Sequence, residues 1–291
     1  MNTPPALEIH ALEKRYPSFT LGPLDFTVPT GTIFALIGPN GAGKTTLIDQ
    51  IFGMGAPDAG AIRVLGFDHT LDEVALKQRC AYVSPELNFA VWGRIGKAIR
   101  FHRGFRPTWD DAYCERLLGL FGLNASDRIV TLSFGARTKL ALLLALSWHP
   151  QVVILDEPTT GLDAHSKRAV FSELLGIVKD ESRTVIVSSH QLADMERFAD
   201  RVGVLHRGKL LAEGLTAELI ERHVVAEFEA DASPPWSGVA GLHLQEHEGS
   251  RWRAVLDTIT CPLETLRSRG ARDVRTQPLT LEELFLALTT K

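Results

Sequence analysis

Cysteine is scarce in this sequence, with only Cys80, Cys114 and Cys261 among 291 residues. They lie far apart, are odd in number and form no CxxC pair, which argues against a disulfide framework and leaves small buried hydrophobes in a reducing compartment. Long apolar runs are missing too. The longest, Leu140 to Trp148, falls far short of the roughly 20 residues that cross a bilayer, so a membrane role has to come through a partner. The stretch Met1 to His10 has no basic segment followed by an apolar one, so neither a signal peptide nor an anchor is expected there, and the expected compartment is the cytoplasm. Neither sign of charge dominates: a net charge of −4 supplies no general attraction to nucleic acid, which is not expected as a partner. Internal repeats, low-complexity tracts and heptad arrays are absent as well. What is present is an ordinary soluble mixture, 45% hydrophobic and 23% charged, long enough for a main unit and a smaller one.

Along the chain, Leu24 to Val28 alternates as a half-buried strand would, and Pro29-Thr30-Gly31 turns the chain. Ile33 to Ile37 is short, continuous and apolar, the pattern of a strand buried on both faces. Val152 to Leu155 and Val185 to Val187 repeat it, each after a segment of helical character, which predicts a parallel sheet covered on both sides. Lys44 to Phe52, Trp109 to Gly122 and Thr138 to Trp148 read as helices, so a helical insert over about 87–148 separates the first buried strand from the second. The pattern changes after Gly214. Val224 to Ala230 and Arg251 to Asp257 alternate in period two, Leu263 to Arg269 suggests a short helix, and Thr280 three residues before Glu283 forms a capping box for Leu281 to Thr289. The expected organisation is a unit over 1–214 and a small α+β appendage over 215–291, with 231–238 as a loop.

The chemistry-bearing residues follow the buried strands. Gly38-Pro39-Asn40-Gly41-Ala42-Gly43-Lys44-Thr45 fits GxxxxGK[ST] between a strand and a helix, where backbone N–H groups and the helix N-terminus can surround phosphate oxygens. In that setting Lys44 reaches the β- and γ-phosphates of a nucleotide and Thr45 ligates Mg²⁺, while the adjoining Thr46 extends the loop. The alternative is a glycine-rich turn that matches by accident. Asp156 and Glu157 leave the second strand at its carboxyl end, where open parallel sheets bind ligands. Asp156 would hold Mg²⁺ through its water shell and Glu157 would act as general base toward the attacking water. Standing alone, such a pair would be read as turn formers. His190, after the third strand, reaches the same edge and could hydrogen-bond the γ-phosphate; a lone histidine is otherwise a structural residue.

Leu132-Ser133-Phe134-Gly135-Ala136-Arg137 then gives the set an identity. It resembles the LSGGQ signature of ATP-binding cassette (ABC) ATPases, with Phe134 and Ala136 in place of the usual Gly and Gln. Tyr16, the loop Gly161-Leu162-Asp163 and His190 occur in that family's order, so the resemblance spans about Leu7 to Gly214. It implies a phosphate-loop NTPase-type α/β fold with a helical subdomain and ATP with Mg²⁺ as ligands. It further implies that Tyr16 stacks on adenine, that Asp163 belongs to the nucleotide site, and that Ser133 and Gly135 meet the γ-phosphate held by a second nucleotide-binding subunit, identical or different. Without the resemblance, Tyr16 would be packing and Ser133 a helix cap. One departure stands out: Ser84-Pro85-Glu86 occupies the place where the family usually has a Gln.

The finer likeness, in Tyr82 to Glu86, Phe101 to Phe105 and Ser188 to Leu192, is to ATPases of ABC-2-type exporters. It implies separately encoded transmembrane permease subunits driven by ATP-dependent closure of two nucleotide-binding units, with the protein peripheral on the membrane's cytoplasmic face through that partner. The region Phe89 to Phe105 would seat the permease, although Trp92 reads equally as core of the helical insert. A soluble cassette ATPase working on nucleic acid or ribosomes is the alternative; one cassette, no coiled-coil insert and mild acidity argue against it.

Overall fold

The computed structural model describes residues 4–181, 183–231, 236 and 238–289. The chain opens with a long hairpin, β1 (Leu7–Tyr16) and β2 (Phe19–Val28), and then enters β3 (Ile33–Ile37), in which all five side chains are buried. Helix α1 (Lys44–Ile51) follows the glycine loop, and β4 (Ala59–Val64) with the short β5 (Phe67–Asp68) returns to pair with the hairpin. After α2 (Glu73–Lys77) and β6 (Cys80–Val83) come three helices in succession, α3 (Ile95–Gly104), α4 (Asp111–Phe121) and α5 (Phe134–Leu146). Regular α/β alternation then resumes with β7 (Val152–Asp156), α6 (Ala164–Glu181), β8 (Thr184–Ser189), α7 (Leu192–Phe198), β9 (Arg201–His206) and β10 (Lys209–Leu215).

Six of these strands form one sheet in the order β10-β9-β3-β8-β7-β6, parallel except for the antiparallel edge strand β10. Side chains alternate between its faces. Ile33, Ala35 and Ile37 point into a core with Leu140, Leu143 and Leu146 of α5, whereas Phe34 and Leu36 point into a second core with Leu47 and Ile48 of α1. Each large apolar side chain fully removed from water stabilises the fold by about 1.5–3 kcal/mol, and this sheet is lined with them on both sides. The sequence pattern predicts helices on both faces, and they are there; it does not disclose that the α1 face is shared with a four-stranded antiparallel sheet, β2-β1-β4-β5, whose Leu7, Ile9 and Leu24 complete that core. Alternation within each strand reveals an inner face but not what lies against it.

The remaining residues supply α8 (Thr216–Arg222), β11 (His223–Glu229), β12 (Leu242–Glu248), β13 (Arg251–Asp257), α9 (Leu263–Ser268), β14 (Arg272–Pro278) and α10 (Leu281–Thr289). Their antiparallel sheet runs β12-β13-β11-β14. One face, with Ala226, Phe228 and Trp252, encloses a core of its own with Leu266 of α9, while Val225 and Val255 on the other join the core of the six-stranded sheet together with Leu281 and Leu284 of α10. The expected capping box is formed: Glu283 Oε2 accepts from the Thr280 N–H at 2.9 Å, and Thr280 Oγ1 accepts from the Glu283 N–H at 3.2 Å. Leu281 N–H donates to Glu196 Oε2 of α7 at 2.8 Å, fastening α10 to the main unit. Most of the loop expected over 231–238 lies outside the described residues.

Candidate functional site

The site is assembled where β3, β7 and β8 release the chain at their carboxyl ends. Gly43, the residue before α1, has φ +107°, and a Cβ there would come within 2.7 Å of the Phe19 ring, so only glycine serves both the turn and the contact. The loop is braced by Ala42 N–H donating to Pro39 O at 3.1 Å and by Gly208 N–H donating to Ala42 O at 2.9 Å. The first turn of α1 holds no acidic side chain, so the positive end of its dipole faces the loop uncompensated.

Lys44 is buried, and its Nζ donates to Gly38 O at 2.8 Å and Pro39 O at 3.3 Å, 3.6 Å from Glu157 Oε1. Thr45 Oγ1 donates to Asp156 Oδ2 at 2.8 Å, and Ser188 Oγ donates to Asp156 Oδ1, so both carboxylate oxygens of that buried aspartate are engaged. Glu157 Oε2 lies 2.8 Å from His190 Nδ1. The five residues read from separate motifs, Lys44, Thr45, Asp156, Glu157 and His190, thus converge on one edge. A cleft of about 600 Å³ opens between the loop and Glu157, lined also by Thr46, Asn40, Ser18 and Phe19. Its size suits a small-molecule ligand, and its lining of glycine backbone, an ammonium group and a helix N-terminus suits phosphates. A larger cavity of about 740 Å³ lies on the appendage among interleaved Glu and Arg side chains, with no such loop.

A divalent cation fits the donors present. Thr45 and Asp156 are in contact, and no group of three His, Cys, Asp or Glu among the described residues is arranged to hold a metal ion, so a cation here would complete its shell with water and phosphate oxygens, as magnesium prefers. Near the pair, the Asp49 carboxyl is held above its usual range by burial, against the Tyr82 hydroxyl that donates to it at 3.2 Å, with Asp156 and Glu86 adding repulsion. Glu86 itself is exposed.

The other expected site residues are placed elsewhere. Tyr16 is 46% exposed at the end of β1 and does not line the cleft; Phe19, across the hairpin turn, does. Ser133 caps α5, its Oγ accepting from Ala136 N–H at 3.2 Å, and Gly135 lies beside Leu162. Phe134, 47% exposed, packs on Gly161, whose φ of +74° and contact with that ring leave no room for a side chain. Asp163 accepts from the Ser166 backbone N–H at 2.9 Å and its hydroxyl at 2.7 Å, which hold its carboxyl down to about 2. None of Ser133, Gly135 and Asp163 lines the cleft of this chain. Ser188 and Phe19 carry no site role in the sequence reading; a hydroxyl directly after the apolar run Val185 to Val187 and an aromatic close to the glycine loop were the available signals. Trp92 is half-buried against the insert, as its core reading expects, and stacks on the exposed Phe101 with ring centres 3.8 Å apart.

Known proteins give an independent view. The family model described as ABC transporter matches residues 21–160. The chain is 32% identical to Nod factor export ATP-binding protein I of Rhizobium sp. (strain N33), over 98% of its own length and 97% of the relative's. It is likewise 32% identical to the daunorubicin/doxorubicin resistance ATP-binding protein DrrA of Streptomyces peucetius, over 99% and 94%. A solved ATP-binding subunit of an ABC transporter matches 74% of this chain and 92% of its own at TM-score 0.65 and 28% identity.

Proposed function

The chain belongs to the ABC transporter family as an ATP-binding, ATP-hydrolysing subunit, and from that premise we propose how its residues divide the work. The observation that carries the reading is the convergence of Thr45 on Asp156 at 2.8 Å and of Glu157 on both Lys44 and His190, at 3.6 and 2.8 Å. The loop from Gly38 to Thr46 wraps the phosphates of ATP, with Lys44 exchanging its carbonyl partners for β- and γ-oxygens. Thr45 and Asp156 would hold Mg²⁺, which when bound would neutralise charge on the phosphates. Glu157 takes the proton of the attacking water, and His190, on the carboxylate's other side, orients Glu157 and contacts the γ-phosphate. Tyr16 stacks on adenine, with Phe19 beneath it on the loop.

Ser133, Gly135 and Asp163, turned away from the cleft, serve the site of a second nucleotide-binding subunit, so hydrolysis requires a closed pair. The main unit is residues 1–214, and 215–291 form an appendage for regulation or partner contact. No helix among the described residues is long and apolar enough to cross a membrane, and membership of a transporter family supports transmembrane permease subunits as the path. They seat on the exposed aromatics Phe101 and Phe105 beside Trp92, and the relatives' names support export as the direction.

Glu157→Gln removes the base and keeps the phosphate contacts, so hydrolysis should fall about 10²–10⁴-fold while Mg-ATP drives a closed dimer seen by light scattering. Adding Ser133→Arg should abolish that dimer. A Glu157→Gln protein that hydrolyses ATP at the wild-type rate overturns the assignment of the base, and one that stays monomeric with Mg-ATP overturns self-pairing.

A further inference from the structure

Strand β8 opens with Thr184 and continues through the apolar Val185, Ile186 and Val187 to Ser188, which is fully buried. In the parallel register it sits opposite Asp156 of β7. Its hydroxyl has two partners, both across the strand gap: it donates to Asp156 Oδ1, and it accepts from the Glu157 N–H at 3.0 Å. Glu157 has φ +48°, a left-handed backbone that a residue bearing a Cβ adopts only when its surroundings impose it. The imposition is visible. Ser188 holds the N–H, and His190, two residues further along the same chain segment, lies 2.8 Å from the carboxylate.

We propose that Ser188 is a positioning residue for ATP hydrolysis, whose single hydroxyl locks the Glu157 backbone in its left-handed turn and so fixes where the Glu157 carboxylate points. The proposal rests on the reading of Glu157 as the base. Without the hydroxyl, the Glu157 N–H loses its acceptor and the backbone can relax into the ordinary right-handed region, which swings the carboxylate away from the water it must deprotonate. Asp156 keeps Thr45, so nucleotide binding survives while the chemical step suffers. A serine present only for packing would be replaced by alanine with little consequence for either.

The test uses the full chain with Ser188→Ala and Ser188→Cys, each alone and Ser188→Ala also combined with Glu157→Gln, measuring kcat, KM and Mg-ATP affinity by calorimetry. Expected is a loss of kcat in Ser188→Ala of about 10–100-fold, the size seen when an outer-shell hydrogen-bond partner of a site residue is removed, with affinity unchanged. Ser188→Cys, a weak donor and acceptor of similar size, should fall between and keeps the test usable if the alanine variant folds poorly. The double variant should be no slower than Glu157→Gln alone, because a misdirected glutamine loses nothing further. Wild-type kcat in both single variants, a loss that multiplies with that of Glu157→Gln, or a fall in ATP affinity as large as the fall in kcat would each overturn the proposal. Glu157→Gln measured in parallel separates the two ideas: if it retains full activity the base assignment fails, whereas a slow Glu157→Gln beside a fully active Ser188→Ala removes Ser188 alone.

Discussion

In the six-stranded sheet β9, β3, β8, β7 and β6 run parallel, so the loops leaving their carboxyl ends all emerge along one edge; in the β12-β13-β11-β14 sheet neighbours run antiparallel and loops leave at both ends. The consequence is chemical. The parallel sheet brings residues as distant in sequence as Thr45, Asp156 and His190 to one edge, each delivered by a different strand. The antiparallel sheet instead places opposite charges side by side across its face, Glu227 between Arg253 and Arg275, and Glu229 between Arg251 and Arg272, with Arg251 3.8 Å from Glu229 while Arg253 and Arg272 reach out to Glu283 and Asp231. One sheet concentrates function and the other builds a surface, although both bury an apolar face in the same core.

Lys44→Ala is the hardest blow to this contrast. It removes the ammonium at the cleft, and ATP affinity by calorimetry should fall about a hundredfold or more, as expected for one partner of a desolvated charge contact. An unchanged affinity would place the nucleotide elsewhere and leave the parallel edge without its privilege.

Next in size is Leu284→Ala on α10. Leu284 is fully buried in the core shared with the main unit, so stability in urea should drop by about 2–3 kcal/mol with a single transition and unaltered ATP affinity. Two separate transitions would show instead that the appendage melts by itself and that the shared core is no real bond between the units.

The smallest expected effect lies wholly within the appendage. Arg222 grips Asp257, its Nε donating to Oδ1 at 2.7 Å and its Nη2 to Oδ2, and this fork, helped by the Thr260 hydroxyl, holds the Asp257 carboxyl well below its usual range. Because the folded state prefers the ionised form, the stabilisation is fully present above the unfolded value near about pH 4 and is lost as pH falls toward the depressed folded one. Arg222→Ala should therefore cost about 1–2 kcal/mol at neutral pH and flatten the acid branch of the stability curve, leaving ATP hydrolysis at pH 7 untouched. A loss of hydrolysis would show that the appendage's internal order reaches the cleft.

Much of this was legible in the residue order because the signals are local. A strand, a glycine loop and a helix in succession define the phosphate loop, and Asp156, Glu157 and His190 each follow a recognisable buried strand. The Thr280–Glu283 box closes over three residues and forms as read. What escaped notice depends on register between segments far apart. Ser188 matters because it lies opposite Asp156, 32 residues away, and nothing near Ser188 in sequence says so. Phe19 reaches the loop only because the β1–β2 hairpin folds over α1, and Val225 joins the main core only because α10 folds back across it. Phe134 departs from the family's signature in a way that becomes intelligible once Gly161 is seen beneath it.

The bond from Leu281 N–H to Glu196 spans 85 positions of sequence, and it carries a consequence for biosynthesis. At a translation rate of about 5–20 residues per second, roughly 4–17 s separate the emergence of α7 from that of the helix that covers it. The face of α7 that meets α10 lacks that cover for the interval, although Phe198 is already stacked on Phe171 of α6 with ring centres 4.3 Å apart. Nascent-chain factors that mask apolar surface would find their binding window there, and a translational pause between residues 215 and 280 would lengthen it.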